Sequence, residues 1–339
     1  MQQQLRKPGI GERLGQLGYL LKHTFTIVGR DPGILRPWVR MAIYGMVMAT
    51  LFFAGVFAIV VGARAFGGLL IAASALMFVY KFFYYVRQEL RQSWLVSEAL
   101  QGRTRSADEA KARVRELRPT YRRIALIDML VAWILSMARK SDKAGALVRL
   151  LMRGLEEVWD LVNHYLLPTT AVDGCNVREG IGRMKVLKDN VPETLTGVFG
   201  IDIAARAVGT IMAPIYFLLV LGAIALGLWV GDSVAAFHFG DIREMLGDDV
   251  DADFLPEVMH FSWLPLLIAL WFGKLGSVVL ERVTTSVKVI YYSIFYMRIT
   301  HIESIVPEIR GELDSYLRME AEEVTPVAGE NAPQPGSAG

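Results

Sequence analysis

Residues 159–200 read WDLVNHYLLPTTAVDGCNVREGIGRMKVLKDNVPETLTGVFG, and the fold turns on how this stretch is parsed. It begins with the apolar spacing of an amphipathic helix and meets Pro168. The helix is expected to stop there, because proline supplies no N–H and crowds the preceding turn. A polar turn follows through Thr169, Thr170, Asp173 and Gly174. Asn176, with Glu179 three positions on, is then suited to cap a new helix. That helix carries Val177, Ile181, Met184 and Leu187 on one side and Arg178, Arg183, Lys185 and Lys188 on the other. The pattern is that of a helix lying on an anionic lipid surface, with those four cations at the headgroups. Pro192 suits the start of the next helix, which leads into an apolar run. The stretch therefore reads as an interfacial joint between hydrophobic hairpins.

Working outward, the runs on either side set the class. Of 339 residues, 53% are apolar, too many for an ordinary soluble domain. Uncharged or nearly uncharged runs at about 41–62, 66–86, 207–231 and 261–281 are long enough to cross a bilayer. The fold class expected is thus all-α: a multi-span helical membrane protein with amphipathic interfacial helices and a long C-terminal helix. Residues 1–38 read as a cytoplasmic amphipathic segment, 39–317 as the membrane domain and 318–339 as a disordered tail rich in Pro, Gly, Ala and Glu. In the first segment Leu14, Leu17, Leu21, Phe25 and Val28 keep helical spacing until Arg30-Asp31-Pro32-Gly33 ends it, and Pro37 restarts the chain. No cleaved signal peptide is expected, since the first apolar run starts near residue 39.

Only Gly62-Ala63-Arg64-Ala65 separates the first two runs, which makes a tight hairpin. Gly45 with Ala49, and Gly68 with Ala72, are small pairs four apart that let helices approach closely. Lys81 lies near the inner end of the second run and can snorkel. Residues 87–120 read as a solvated helical excursion with a capping box at Ser106 and Glu109. Its interleaved acids argue against nucleic-acid binding. Two further helices, 124–138 and 146–167, form a hairpin that either inserts or lies at the interface, so the count of spans is six or four. Asp128 and Lys274 are ionisable residues inside apolar runs, with pairing to another helix as the default role.

Lys and Arg placement orients the chain. The N-terminal segment and the middle region are rich in cations, whereas 232–260 carries Arg243 alone against Asp232, Asp241, Glu244 and five further acids. Both termini are expected in the cytoplasm and the acidic loop outside. Asp249, Asp251 and Asp253 have calcium-loop spacing, but Phe254 stands where glycine is needed and His260 where a bidentate Glu should be. The five histidines show no metal-ligand spacing, and the single Cys175 rules out an intrachain disulfide. No catalytic motif is present, so no enzyme activity, cofactor or metal is expected.

Three stretches carry a resemblance: LLKHTFTIVGRDPGILRPW, the central 158–201 segment, and VIYYSIFYMRITH. Over roughly residues 16–305 the chain resembles a family of uncharacterised prokaryotic six-span integral membrane proteins. These are related to membrane domains fused to glycerophosphodiester phosphodiesterases. The resemblance implies a prokaryotic cytoplasmic (inner) membrane and six spans, and no activity.

The sharpest candidate site is on the helix before Pro168. Arg149, Arg153, Glu156, Glu157, Asp160, Asn163 and His164 fall within about 120° of arc at ~100° per residue. On an interfacial helix this stripe faces water. On an inserted helix it must face a polar path, because ionisable groups seldom face lipid. The leading expectation is a self-associating channel or transport-like module, a homo-oligomer in a bilayer with anionic headgroups. The alternative is a structural or partner-recruiting membrane scaffold, and a lipid-modifying enzyme comes last.

Overall fold

The computed structural model describes residues 31–140, 159, 162–186, 191–231, 236–238 and 260–311. After a 3-10 turn at Pro32–Leu35, the helices are α1 Arg36–Val60, α2 Arg64–Leu100, α3 Ala107–Glu116 and α4 Arg118–Lys140. Then come α5 at 162–173, α6 Val177–Val186, α7 Val191–Val230 and α8 Trp263–Thr300. Strands β1 (Ala236–His238) and β2 (His260–Ser262) pair antiparallel at the base of the acidic loop, whose residues 239–259 lie outside the described set.

Among the described residues four helices are long and apolar enough to cross a membrane: α1 with its preceding turn, α2, the 205–230 part of α7, and α8. The described residues are all-α apart from the short β pair. At 37 residues α2 is ~55 Å long, against a hydrocarbon core of ~30 Å. Both α2 and α8 therefore extend well past any bilayer they cross. The expected excursion after residue 86 is no separate helix, because α2 runs unbroken to Leu100.

Local chemistry explains most ends. Asp31 accepts a hydrogen bond from Gly33 N at 2.8 Å, and Pro37 sits in the first turn of α1, where its missing N–H costs nothing. Gly62 takes a φ of 90° in the α1–α2 turn, a value a side chain would resist. Ser106 and Glu109 form a reciprocal capping box at the start of α3. The same device begins α6: Asn176 N donates to Glu179 at 2.9 Å, and Glu179 N donates to Asn176 at 3.1 Å.

One expectation fails here. Pro168 does not end a helix, since α5 continues through it to residue 173. The ring removes one backbone hydrogen bond, but Tyr165, Leu166, Leu167 and Ala171 around it are all buried. Their packing holds the turn that the proline weakens.

α2 packs against α1, α3, α4 and α8, and α8 also packs against α1 and α7. Close approach of α1 and α2 is set by Gly55 and Gly67, where a Cβ would lie 2.9 Å and 2.5 Å from the other's carbonyl oxygen. Gly45 and Ala49 are buried, with Gly45 against Val278 of α8, whereas Gly68 and Ala72 face outward. Polar contacts tie the apolar segments: Tyr44 Oη donates to Met77 O at 2.9 Å, Ser74 Oγ to Met48 O at 2.9 Å, and Trp271 Nε1 to Thr50 Oγ1 at 3.0 Å.

The core is elsewhere. One cluster joins Ile34, Leu95, Val96 and Leu100 to Ile290, Ile294 and Met297. A second joins Val86, Leu90 and Val289 to Ile124, Leu166 and Leu167. A third packs Tyr165 on Tyr291, Tyr292 and Phe295. All three surround the polar ends of α2 and α8.

Candidate functional site: the polar joint and seam

Asp173 is the last residue of α5. An acid there opposes the negative end of the helix dipole, so its presence needs compensation. Three groups supply it. Arg183 of α6 forms an ion pair with the carboxylate, the Tyr296 hydroxyl of α8 donates to it, and His301 Nε2 lies 2.9 Å from Oδ1. Arg183 also donates to the Tyr296 hydroxyl at 3.0 Å, and that bond helps hold its guanidinium above the ordinary value. The Asp173 side chain is mostly buried, while Arg183 and His301 remain partly open.

The backbone is fixed around this cluster. Gly174 takes φ 71° and closes the helix end. Arg113 of α3 reaches across to donate to Ala171 O at 3.2 Å and Val172 O at 3.0 Å, carbonyls left free at the end of α5. Thr170 Oγ1 donates to Cys175 O at 3.1 Å. Gly180 seats α6 on α5, since a Cβ there would meet Leu166 at 2.6 Å. Burial pushes the Cys175 thiol up, which disfavours its thiolate.

A second polar arrangement lies between α2 and α8. Gln92 Nε2 donates to Ser286 Oγ at 2.5 Å and to Ile34 O at 3.3 Å. Ser93 and Ser293 hydroxyls are 2.8 Å apart. Gln88, Glu89, Ser97, Arg282, Lys288 and Arg298 are buried along the same helices. Arg282 lies over the Tyr85 ring at 4.2 Å, a cation–π contact that joins the two helices. Buried polar groups that are paired fix helix register more than they add stability.

Of the stripe expected from the sequence, Arg149, Arg153, Glu156, Glu157 and Asp160 lie outside the described residues. Asn163 is half-buried, and His164 is buried with its ring stacked on Tyr292 at 5.2 Å. Asp128 accepts from Trp159 Nε1 at 3.0 Å, and Lys274 is exposed on α8. Lys81 lies over the Phe78 ring at 4.0 Å. Of the cations expected at headgroups, Arg178 is exposed, Arg183 is engaged with Asp173, Lys185 lies in α6 and Lys188 is outside the described residues. Sequence reading did not foresee that Asp173, Arg183, Tyr296 and His301 would meet. A conserved-looking spacing could not reveal it, because more than 110 positions separate Arg183 from Tyr296.

A scan against protein-family models and searches of curated proteins and of solved structures return no match to this chain, so the geometry alone carries the functional reading.

Proposed function

We propose that the protein is an integral membrane scaffold. In this reading α1, α2, α7 and α8 anchor it in a prokaryotic inner membrane. The far ends of α2 and α8, with α3 to α6, form a helical platform on the cytoplasmic face, and both termini share that side. The supporting observation is where the packing lies. The apolar windows of the four membrane-length helices are between 6% and 22% buried, whereas the polar continuations of α2 and α8 are buried almost throughout. Apolar surface without internal partners suits lipid, and a polar yet well-packed platform suits a rigid surface held at a membrane.

A self-associating channel is the second reading. Gly68 and Ala72 favour it, since they face outward on α2, and a Cβ at Gly68 would meet nothing within 4 Å. Outward small residues allow close contact with a second copy. The stripe from Arg149 to His164 would then line the path.

Flux measurement in reconstituted vesicles separates the two. The scaffold reading expects vesicles that stay tight to ions and small solutes, with Glu157→Gln/Asp160→Asn unchanged. A cation flux that the double substitution alters would put the channel first, because charges lining a pore set its selectivity.

A further inference from the structure

A cavity of about 660 Å³ opens where α2 leaves its apolar segment, between α2, α3 and α4. Each helix gives it two cations four residues apart: Arg87 and Arg91, Lys111 and Arg115, Arg118 and Arg122. Among the described residues no acid lines it. Like charges at that spacing repel within a helix, and three such pairs facing one space repel further. Among the described residues, nothing in the lining balances these charges, and the cavity is a strongly positive site.

The cations are not all solvated. Arg91 is only 7% exposed, and its Nη1 donates to Gln88 Oε1 at 3.1 Å. Nε of Arg87 and Nε of Arg91 are each buried with no hydrogen-bond partner among the described residues. A buried donor without a partner carries a desolvation cost that an anion in the cavity would relieve.

The other wall is apolar. Tyr80 and Phe83 stack at 6.4 Å between centroids, and Leu126 completes that side. Leu126 also begins an exposed stripe on α4 that runs through Leu130, Trp133 and Met137. Aromatic residues beside cations at the end of a membrane-length helix mark headgroup level. We propose that this cavity binds the phosphate headgroup of an anionic glycerophospholipid, with the acyl chains leaving past Tyr80, Phe83 and Leu126 along the exposed face of α4. The proposal rests on the membrane reading above. It concerns residues other than the α6 cations.

The test uses the full chain purified in an uncharged detergent, with lipid binding followed by native mass spectrometry. The probes are dioctanoyl phosphatidylglycerol, dioctanoyl phosphatidylcholine, glycerol 3-phosphate and inorganic phosphate. Phosphatidylglycerol is expected to bind saturably and to weaken with salt, and phosphatidylcholine to bind far less. Arg115→Gln/Arg118→Gln/Arg122→Gln removes three exposed cations and should lower phosphatidylglycerol affinity on the order of 100-fold. A control of equal charge, Arg64→Gln/Arg103→Gln/Arg123→Gln, removes exposed cations that do not line the cavity and should leave it within a few-fold. Circular dichroism and gel filtration confirm that both variants fold. Equal loss in both variants, or none in the first, overturns the site. Inorganic phosphate or glycerol 3-phosphate binding as tightly as the lipid overturns the lipid assignment and leaves a soluble-anion site. Recovery of the wild-type chain from the soluble fraction of cells would instead break the membrane reading, so the two failures are distinct.

Discussion

The two halves of α2 obey opposite rules. From Arg64 to about Val86 the residues are mostly apolar, and before Val86 only Gly67 and Ser74 are buried. From Val86 to Leu100 they are mostly polar, and nearly all are buried. α8 repeats the contrast, with exposed Phe272 and Ile268 in its first half and buried Ser286, Lys288, Ser293 and Arg298 in its second. In water the assignment would be reversed. A helix in lipid needs no apolar partner, so its contacts can be few, whereas a helix outside lipid is held only by what it packs against. The difference locates the stability of the molecule in the platform rather than in the spans.

If that contrast is right, substitutions in the platform should lower the melting temperature in detergent, and equal changes on the outward apolar faces should not. The largest effect is expected at Asp173→Ala. It removes the carboxylate that accepts from Tyr296 and pairs with the partly exposed Arg183, and a loss of ~2 kcal/mol is expected, within the range for hydrogen bonds to a charged group. Asp173→Asn keeps the shape and should lose less. A melting temperature unchanged by Asp173→Ala would remove the joint from the account.

Next comes Gly67→Leu, which drives a side chain into the backbone of α1 at Gly55 and should cost ~1–3 kcal/mol. It sharpens the comparison, because it is the one kind of change in the apolar half that should matter. Gln92→Leu removes the bonds to Ser286 and Ile34 O and is expected to cost ~1–2 kcal/mol, read in the same melting curves. Asn176→Ala removes one half of the α6 cap for ~1 kcal/mol. Outward changes such as Leu218→Ile or Phe217→Leu should stay within ~0.5 kcal/mol.

The α3 capping box gives the smallest signal and a signed pH dependence. Hydrogen bonds to Ser106 hold the Glu109 carboxyl below its ordinary range. A depressed carboxyl adds stability that is present above its unfolded pKa and lost as pH falls through the folded value. Helicity of α3 should thus weaken only under acid conditions, and Ser106→Ala should flatten that dependence.

Much of this architecture was legible in advance. The four membrane-length helices follow from run length and charge, and both capping boxes from Ser106 with Glu109 and Asn176 with Glu179. Two kinds of fact were hidden. Pro168 reads locally as a stop, but tertiary burial of its neighbours overrides that signal. The Asp173 cluster joins α5, α6 and the end of α8, and nothing in a single sequence pairs residues so far apart. The basic cavity was half legible. Its three cation pairs are visible as i, i+4 spacings, but reading 87–120 as a solvated face gave them no reason to converge. Gly45 and Gly68 show the same limit: each opens a small pair four apart, yet one packs inward and the other faces out.

The central claim is that the polar platform and both chain ends lie on one side of a bilayer, with 232–260 on the other. Cysteine accessibility tests it most directly, in a Cys175→Ser parent with single substitutions Arg105→Cys, Gly247→Cys and Arg318→Cys. The account predicts that a membrane-impermeant maleimide labels the Gly247→Cys variant in intact cells. The Arg105→Cys and Arg318→Cys variants should label only after the membrane is opened. Labelling of the Arg105→Cys variant in intact cells would put the platform outside and contradict the account.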